Sequence, residues 1–392
     1  WTHRFGWVKN EGKQPVIFTF EIDEAGKNEW KTLKSVKVNA GKSVSVPFAS
    51  TEKGEWIRVK TDKNTLATVS FNYTTADPRS TSSDPIYQGL TTVKQNTTIG
   101  GLLYGLGDNR RALGVLANVT VDGKTSETGY YEMGDKLELV RKEDTKTTDF
   151  IRSKFAIPQQ VVSIEEGSVL IVDDLNRRWR LPLGDETYKE LTNQGVLRVC
   201  REVATERDMF SCMGTFYELP AENADGYAKI RPISTHNYRI NDYASYRGML
   251  VLTGVTPVTP EDTKGNPHII VSDDGKAAVW VGVIDDLWTL GKPVGHGGPW
   301  KNTNVKAGIA SDPYLIGFYD KKELSLSHQS DKKVVITVEV DPTGNGDWME
   351  YAAYTVQPGE RFVQQLPEAF QARWIRFVSD TDTKATAWLD YK

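Results

Sequence analysis

Apolar and polar residues alternate with a period of two over much of the chain. Phe18, Phe20 and Ile22, for example, alternate with the polar residues Thr19 and Glu21. This period is typical of a half-buried strand, because successive side chains on a strand point to opposite faces. Apolar positions spaced for a helical face are nearly absent. The pattern therefore predicts an all-β protein.

The two ends of the chain resemble each other. Residues 16–73 align without a gap onto residues 334–391 at a constant offset of 318, with sixteen identities in 58 positions. We call these segments the N-terminal copy and the C-terminal copy. The sequence VIFTFEIDEAGKNEW of the first lies over VVITVEVDPTGNGDW of the second, and the triplet WIR begins at both position 56 and position 374. Both copies are predicted to fold as strand, turn and strand.

Weaker hairpin patterns recur between the copies at intervals of about 50 to 65 residues, which is close to the period of propeller blades. Division of 392 residues by a blade of about 55 residues gives seven blades. We therefore predict a single β-propeller domain over residues 1–392, seven-bladed, with adjacent N- and C-terminal blades that share a sheet and leave no exposed edge. The alternative is a pair of homologous β-sandwich modules that flank an unrelated central domain.

Charge and hydropathy narrow the range of partners. The 48 Lys and Arg residues nearly balance the 52 Asp and Glu residues, for a net charge of −4, so no positive field gathers a nucleic acid. No apolar run approaches the roughly 20 residues that span a bilayer. The chain begins at Trp1 rather than Met, which leaves room for a signal peptide upstream but does not identify the compartment. We expect a secreted or periplasmic monomer without a membrane span. Its 11 Trp, 16 Tyr and 13 Phe residues suit sugar stacking.

The cysteines and histidines do not predict a metal site. Cys200 and Cys212 are the only cysteines, and they either close a short disulfide loop or remain two buried thiols. Neither C-x-x-C nor H-x-x-x-H spacing occurs. The segment DPTGNGD at 341–347 begins like a calcium loop, but it lacks the glutamate at the twelfth position. We expect neither a metal nor a cofactor.

Residues 200–248 interrupt the hairpin pattern, and interruptions of regular structure often carry function. Glycoside hydrolysis needs two carboxyl groups, for which Glu218 and Glu222 are candidates, with His236 as a further catalytic candidate. Guanidinium groups suit a ligand that carries carboxylates or hydroxyls. The candidate binding residues in this segment are Arg207, Arg239, Tyr243 and Arg247. The alternative interpretation is a set of surface ion pairs on long loops.

Residues 285–315 form a second interruption, rich in Gly and Pro. Glycines beside His296 permit close approach of a ligand to the backbone, so His296 is the fourth catalytic candidate. A tryptophan here could form the floor under a pyranose ring. The candidate binding residues in this segment are Asp285, Trp288, Trp300, Lys301 and Asn302. An ordinary connection between blades, with buried tryptophans, is the alternative. A smaller interruption at 104–114 contains Asp108, Asn109, Arg110 and Arg111.

Several segments resemble a group of secreted bacterial proteins associated with polysaccharide breakdown. These segments are SDPYLIGFYDKKELSLSH, VVITVEVDPTGNGDWMEY, RWIRFVSDTDTKATAWLDY and ELPAENADGYAKIRPISTHNYRINDYASYRG. In architecture the chain is similar to propeller carbohydrate-active enzymes, such as the rhamnosidases acting on rhamnosyl-glucuronate, related lyases and ulvan lyases. The resemblance implies a propeller and a glycan substrate. It carries over no catalytic residue, and the S-x-D-G-x-T-W repeat of sialidases is missing.

These observations lead to one principal hypothesis and two alternatives. The first is an extracytoplasmic glycoside hydrolase that acts on a terminal sugar of a complex polysaccharide. In one form of this hypothesis the terminal sugar is acidic. The second is a polysaccharide lyase on a uronic-acid glycan, with His236 or Tyr243 as base and Arg247 at the carboxylate. The third is a propeller that binds a glycan without catalysis. In every case the partner is an oligo- or polysaccharide.

Overall fold

The computed structural model describes residues 1–107, 111–204, 207–259, 261 and 265–392. Strands contain 48% of the residues and helices 9%, so the all-β prediction is confirmed. No helix in these ranges has the length and apolarity of a membrane span. The candidates Asp108, Asn109 and Arg110 lie outside the described residues.

The chain divides into two compact units. Unit 1 contains residues 1–78, 165–182 and 296–392, whereas unit 2 contains residues 79–164 and 183–295. Both copies therefore belong to unit 1, and most of the candidate residues belong to unit 2. A single propeller over residues 1–392 stays a prediction.

In the structure each copy extends further towards the N-terminus than the aligned segment, to include His3–Asn10 in the N-terminal copy and Lys322–His328 in the C-terminal copy. The N-terminal copy is built from two antiparallel sheets. Their orders are β4-β1-β6 and β3-β2-β5. The strands are β1 (His3–Asn10), β2 (Val16–Asp23), β3 (Trp30–Val38), β4 (Ser43–Phe48), β5 (Trp56–Thr61) and β6 (Ala67–Thr74). Side chains from both sheets, among them Val8, Phe18, Phe20 and Phe48, form one buried cluster. The copy is therefore a β-sandwich.

The elements after β6 alternate between the two units. In chain order they are β7 (Thr97–Gly105), β8 (Leu113–Val121), β9 (Lys124–Met133), β10 (Leu139–Lys142), α1 (Thr145–Lys154), β11 (Ser163–Ile164), β12 (Val169–Val172), β13 (Arg178–Leu181), α2 (Thr187–Asn193), β14 (Cys200–Ala204), β15 (Arg207–Cys212), β16 (Thr215–Pro220), β17 (Arg231–Thr235), β18 (Tyr243–Tyr246), β19 (Met249–Leu252), β20 (Ile269–Val271), β21 (Ala278–Gly282), β22 (Gly295–Val305), β23 (Tyr314–Leu315), β24 (Lys322–His328), β25 (Val334–Asp341), β26 (Met349–Val356), β27 (Phe362–Gln365), β28 (Trp374–Ser379) and β29 (Thr383–Tyr391). Short 3-10 helices span Pro85–Tyr87, Glu222–Ala224, Gly226–Lys229 and Ile284–Thr289.

The C-terminal copy repeats the sandwich with β24 to β29 in the places of β1 to β6. One of its sheets has the order β22-β29-β24-β27, so β22 is an added edge strand. The other extends from β26 through β25 and β28 to β23, β13 and β12. Strand β23 and the β12–β13 hairpin have no counterpart in the sheet formed by β3, β2 and β5.

Equivalent positions make equivalent hydrogen bonds even where the residues differ. In the N-terminal copy the Asn10 amide donates to Val38 O at 3.1 Å and accepts from Gly12 N at 3.0 Å. In the C-terminal copy His328 Nε2 donates to Val356 O at 2.9 Å, and its Nδ1 accepts from Ser330 N at 3.1 Å. Each pair of positions is 318 residues apart. Local geometry is thus preserved beyond the aligned segment, which begins at position 16.

The two copies lie side by side in unit 1. Trp7 is fully buried, and its ring lies 5.9 Å from Tyr351 and 5.7 Å from Phe370. Its indole N–H donates to Gln371 O at 2.8 Å. The predicted adjacency of the terminal segments is therefore present, but the copies share no sheet among the described strands. Within unit 1 the structure follows the sandwich alternative, and a shared blade sheet is wrong.

The described residues of unit 2 form three four-stranded antiparallel sheets. Their orders are β10-β9-β8-β7, β14-β15-β16-β17 and β18-β19-β21-β20. The second and third contribute to one buried cluster that contains Phe216, Tyr243 and Trp280. Four strands is the size of a propeller blade, but no described sheet closes on itself, and the count of seven blades stays a prediction.

Candidate functional site

A short helix packs against strand β17 in unit 2 and carries an exposed tryptophan. The 3-10 helix Ile284–Thr289 begins where the Asp286 carboxylate accepts from Val283 N at 2.7 Å. Further along, the Thr235 hydroxyl of β17 bonds to both Val294 O and Val294 N at 3.1 Å. Gly291 lies so close to β17 that a Cβ would sit 2.3 Å from Thr235 O. The segment is thereby held along β17.

This helix places Trp288 beside two arginines. The guanidinium carbons of Arg79 and Arg231 lie 5.0 and 5.8 Å from the centre of the indole ring. Arg231 pairs with Glu218 across strands β17 and β16, and their side chains form an ion pair of 2.6 Å. The indole remains 39% exposed. We call Arg79, Glu218, Arg231 and Trp288 the Trp288 cluster.

The second carboxylate candidate is not part of this cluster. Glu222 begins the 3-10 helix Glu222–Ala224 and is exposed. Pro220 ends β16 between the two glutamates, so Glu218 and Glu222 occupy different elements. Their role as a catalytic pair stays a prediction.

His236 lies in aromatic surroundings. Its ring centre is 5.0 Å from Phe216 and 6.2 Å from both Tyr188 and Tyr238. Nδ1 accepts from Tyr238 N at 3.1 Å, and Nε2 is buried without a hydrogen-bond partner among the described residues. Burial lowers the pKa of His236 to about 3. The ring is therefore neutral at pH 7, and its catalytic role stays a prediction.

The remaining candidates of unit 2 are dispersed. Tyr243 is fully buried and donates to Met209 O at 2.7 Å, which makes it a core residue. Arg239 is 5% exposed, and desolvation lowers its pKa. Arg247 lies over the ring of Tyr246 at 5.7 Å. Asp285 is exposed on the same 3-10 helix as Trp288. Arg207 begins β15, and its side chain lies outside the described part of the structure.

The other four candidates lie on β22 in unit 1. Trp300 is 5% exposed and packs 5.9 Å from Phe377, so it belongs to the core rather than to a sugar floor. Asn302 is exposed, and its N–H donates to the Thr386 hydroxyl at 3.0 Å. The side chains of His296 and Lys301, in contrast, both contact the ring of one tryptophan.

That tryptophan is Trp388 of β29, which the sequence analysis did not single out. The His296 ring stacks on it at 5.8 Å, and Lys301 Nζ lies 4.4 Å from its ring centre. Trp388 pairs with Ser325, whereas the equivalent pair in the N-terminal copy is Ser70 and Trp7. At equivalent positions the N-terminal copy has Trp7 and Ser70, whereas the C-terminal copy has Ser325 and Trp388. This exchange of Trp and Ser is the sequence signal that could have identified Trp388.

A buried ionic cluster in unit 2 also escaped the sequence analysis. Asp242 is fully buried and accepts hydrogen bonds from Arg198 and Arg201, from Leu103 N at 2.9 Å and from Tyr243 N at 2.8 Å. With every oxygen engaged by protein donors, this carboxylate serves packing rather than a ligand. Arg201 is thus largely buried, with 16% of its side chain exposed, which differs from the alternative interpretation of surface ion pairs on long loops.

The described residues contain no group of three or more His, Cys, Asp or Glu side chains that could hold a metal ion. The Asp341 carboxylate of the calcium-like segment accepts from the backbone N–H groups of Gly344 at 2.8 Å and Gly346 at 2.6 Å. It therefore stabilises a turn. Cys200 and Cys212 are free thiols, and burial raises the pKa of each to about 12.

No family model and no curated protein matches the sequence. Solved structures with some likeness include a family 43 arabinoxylan arabinofuranohydrolase from Bacillus subtilis, at 10% identity, 76% of this chain, 79% of that chain and a TM-score of 0.18. An exo-β-1,3-galactanase from Phanerochaete chrysosporium has 11% identity, coverages of 72% and 75% and a TM-score of 0.16. A family 32 β-fructofuranosidase from Bombyx mori has 10% identity, coverages of 72% and 77% and a TM-score of 0.17. All three are glycoside hydrolases, but such TM-scores carry no argument about activity.

Proposed function

We propose that this protein binds acidic carbohydrate and that the Trp288 cluster is its binding site. The observation that carries the proposal is an exposed indole with two guanidinium groups within 6 Å, one of them paired with a carboxylate. Of the three functions considered from the sequence, glycan binding is the one that this arrangement of side chains supports best.

Each group of the cluster has a partner on a uronic acid. The C–H face of a pyranose ring stacks on an indole, and guanidinium groups recognise carboxylates through paired hydrogen bonds. Glu218 oxygens accept hydrogen bonds from sugar hydroxyls. A neutral sugar would use the indole and Glu218 but not the charge of Arg79 and Arg231, so the cluster favours an acidic residue.

Hydrolysis of a terminal sugar remains the first activity to test. It requires a second carboxyl within reach of Glu218, and the lyase alternative requires a base beside an arginine. Glu222 is exposed and lies on a different element from Glu218, and burial lowers the pKa of His236 to about 3, which makes it a weak base. A secreted or periplasmic location and a monomeric state are further parts of this proposal, because they fit a polysaccharide partner.

The binding proposal predicts retardation in affinity gels. Wild-type protein should migrate more slowly in gels that contain polygalacturonate or alginate than in gels that contain neutral dextran. Trp288→Ala should abolish the retardation because the stacking surface is lost, and Arg231→Gln should reduce it for acidic polymers only. Trp56→Ala is the matched control, since Trp56 is an exposed tryptophan of unit 1 (65% exposed). Equal retardation of wild type and Trp288→Ala would refute the site.

The same polymers test for catalysis. Reducing-end analysis detects hydrolysis, and ultraviolet absorbance of an unsaturated product detects a lyase. If hydrolysis is found, Glu218→Gln should abolish turnover, and Glu222→Gln should abolish it only if Glu222 supplies the second carboxyl group. Binding without any released product would identify the glycan-binding alternative.

A further inference from the structure

A buried arginine of unit 2 has no counter-charge among the described residues. Arg239 is 5% exposed, yet its Nε has no hydrogen-bond partner in the part of the chain that the structure describes. Desolvation lowers its pKa, and no described carboxylate lies beside it to offset this effect. A buried charge is ordinarily paired, because an isolated charge is costly to remove from water. The guanidinium group is therefore open to an acceptor from outside the chain.

A second unpartnered group lies two residues further along the chain. Asn241 is 6% exposed, and its Nδ2 donates to Val196 O at 3.2 Å, which fixes the orientation of the amide. The Asn241 Oδ1 atom is buried and has no hydrogen-bond donor among the described residues. An acceptor that lacks a donor thus follows a donor that lacks an acceptor.

The two side chains share one face of their segment. Tyr238 and Ile240 pack into the buried cluster of unit 2. The backbone here is extended along a neighbouring segment, because Arg239 N donates to Thr91 O at 2.7 Å. Since side chains alternate along an extended segment, Arg239 and Asn241 point away from that cluster, to the same side.

Strand β7 borders the same side. The Thr91 hydroxyl donates to the hydroxyl of Thr98 on β7 at 2.9 Å. Two residues along this strand is Gly100, where a Cβ would lie 2.7 Å from Asn241 Oδ1 and 2.8 Å from Asn118 Oδ1. Glycine therefore leaves free a space onto which two amide oxygens converge.

We propose that Arg239, Asn241 and Asn118 bind a hydroxy carboxylate. Its carboxylate accepts hydrogen bonds from the Arg239 guanidinium, whose planar fork of donors matches a carboxylate. Its hydroxyl donates to the amide oxygens, because a ligand with acceptors alone would leave Asn241 Oδ1 unpaired. Free 2-hydroxy acids and uronic acids at the end of a glycan share this chemistry.

A water molecule alone does not account for the arrangement. Buried water supplies hydrogen bonds to unsatisfied polar groups, but it brings no charge to compensate the desolvated guanidinium of Arg239. An anion supplies both. The site shares no residue with the Trp288 cluster and does not rest on the proposed function.

Isothermal titration calorimetry of the full chain with galacturonate and with L-lactate tests the proposal. Saturable binding is expected: tighter binding of galacturonate identifies a uronic acid as the ligand, and tighter binding of lactate identifies a free 2-hydroxy acid. Galactose lacks the carboxylate and acetate lacks the hydroxyl, so each should bind at least about tenfold more weakly than the preferred acid. Trp288→Ala should bind the acids as wild type does, which separates this site from the carbohydrate site.

Two variants change the site in different ways. Arg239→Gln should weaken binding at least about tenfold, because a charge-assisted hydrogen bond is lost. Without ligand, the same variant should unfold at or above the wild-type melting temperature, because it removes an unpaired buried charge. Gly100→Ala should also weaken binding, since its methyl group fills the space in front of the amide oxygens. Arg152→Gln is the matched control, because Arg152 of unit 2 already binds Glu127, and it should bind the acids as wild type does.

Four outcomes would overturn the proposal. The first is that wild type binds neither acid, and the second is that acetate binds as tightly as the hydroxy acids. The third is binding that persists in both Arg239→Gln and Gly100→Ala. The fourth is a ligand-free Arg239→Gln variant that melts well below wild type or does not fold, which would assign the guanidinium to the packed interior. Each of these leaves the gel retardation by polymers, which reports on the Trp288 cluster, unaffected.

Discussion

At the scale of the residue, the same side-chain type plays different roles according to its surroundings. His328 forms hydrogen bonds through both ring nitrogens, whereas His236 accepts one through Nδ1. Of these two histidines, only His236 has a ring nitrogen without a hydrogen-bond partner among the described residues. Trp300 and Trp288 lie twelve residues apart, and one packs in a core whereas the other is exposed. Composition identifies such residues as candidates but does not separate these roles.

The pH dependence of stability should report on His236. Its pKa lies near 3 in the folded state and near the ordinary value of 6.5 in the unfolded chain. Between these values the unfolded chain binds a proton that the folded protein does not, so stability falls as the pH falls below 6.5. At pH 4.5 the loss from this residue is about 2 to 3 kcal/mol relative to pH 7.

Urea unfolding of the full chain at pH 7 and pH 4.5 measures this loss in the unfolding transition of unit 2. His236→Gln should reduce the difference between the two pH values, because glutamine does not titrate and its amide oxygen can still accept from Tyr238 N. His3→Gln, in the N-terminal copy, is the control and should leave the difference intact. An unchanged difference in His236→Gln would show that other groups cause the acid sensitivity.

At the scale of the element, the sandwich copies are stabilised by polar contacts that recur with different residues. Asn10 and His328 connect the end of the first strand to the end of the third in their respective copies. Arg4 donates to Glu52 O, and its counterpart Lys322 donates to Phe370 O at 3.2 Å. The structural role of these positions is thus set by the geometry of their hydrogen bonds rather than by the identity of the residue.

This equivalence predicts the effect of replacing His328 by asparagine, the residue at the equivalent position of the N-terminal copy. His328→Ala should lower the free energy of unfolding by about 1 to 3 kcal/mol, because Val356 O and Ser330 N lose their partner. His328→Asn should lower it less, since Asn10 makes the same two bonds in the N-terminal copy. Equal losses in the two variants, measured by urea unfolding, would contradict the equivalence.

At the scale of the whole molecule, the described residues form two compact units, and the copies share unit 1. Strand β1 is buried on both faces: Val8 packs into its own sandwich, whereas Trp7 packs against the C-terminal copy. The N-terminal copy thus depends on its neighbour for part of its apolar burial.

Truncation of Trp7 should expose this dependence. Trp7→Ala should cost about 3 to 5 kcal/mol, the usual range for a buried tryptophan, and should make the N-terminal copy unfold before the C-terminal copy. Limited proteolysis should then cut first within residues 1–78. Trp56→Ala, at an exposed position, should change stability by no more than about 0.5 kcal/mol. A single unfolding transition with wild-type protease resistance would contradict the prediction.

The sequence by itself determined the all-β class and the similarity of the ends, because period-two alternation and a gapless offset can be observed directly in the sequence. It also selected Trp288 and Glu218. Only the tertiary structure decided that the copies are sandwiches lying side by side, that Trp300 is buried while Trp388 is only partly buried, and that no described strand covers the edge of β5. These outcomes depend on which face of a strand meets another sheet, and strands with the same alternation can pack on one face or on both.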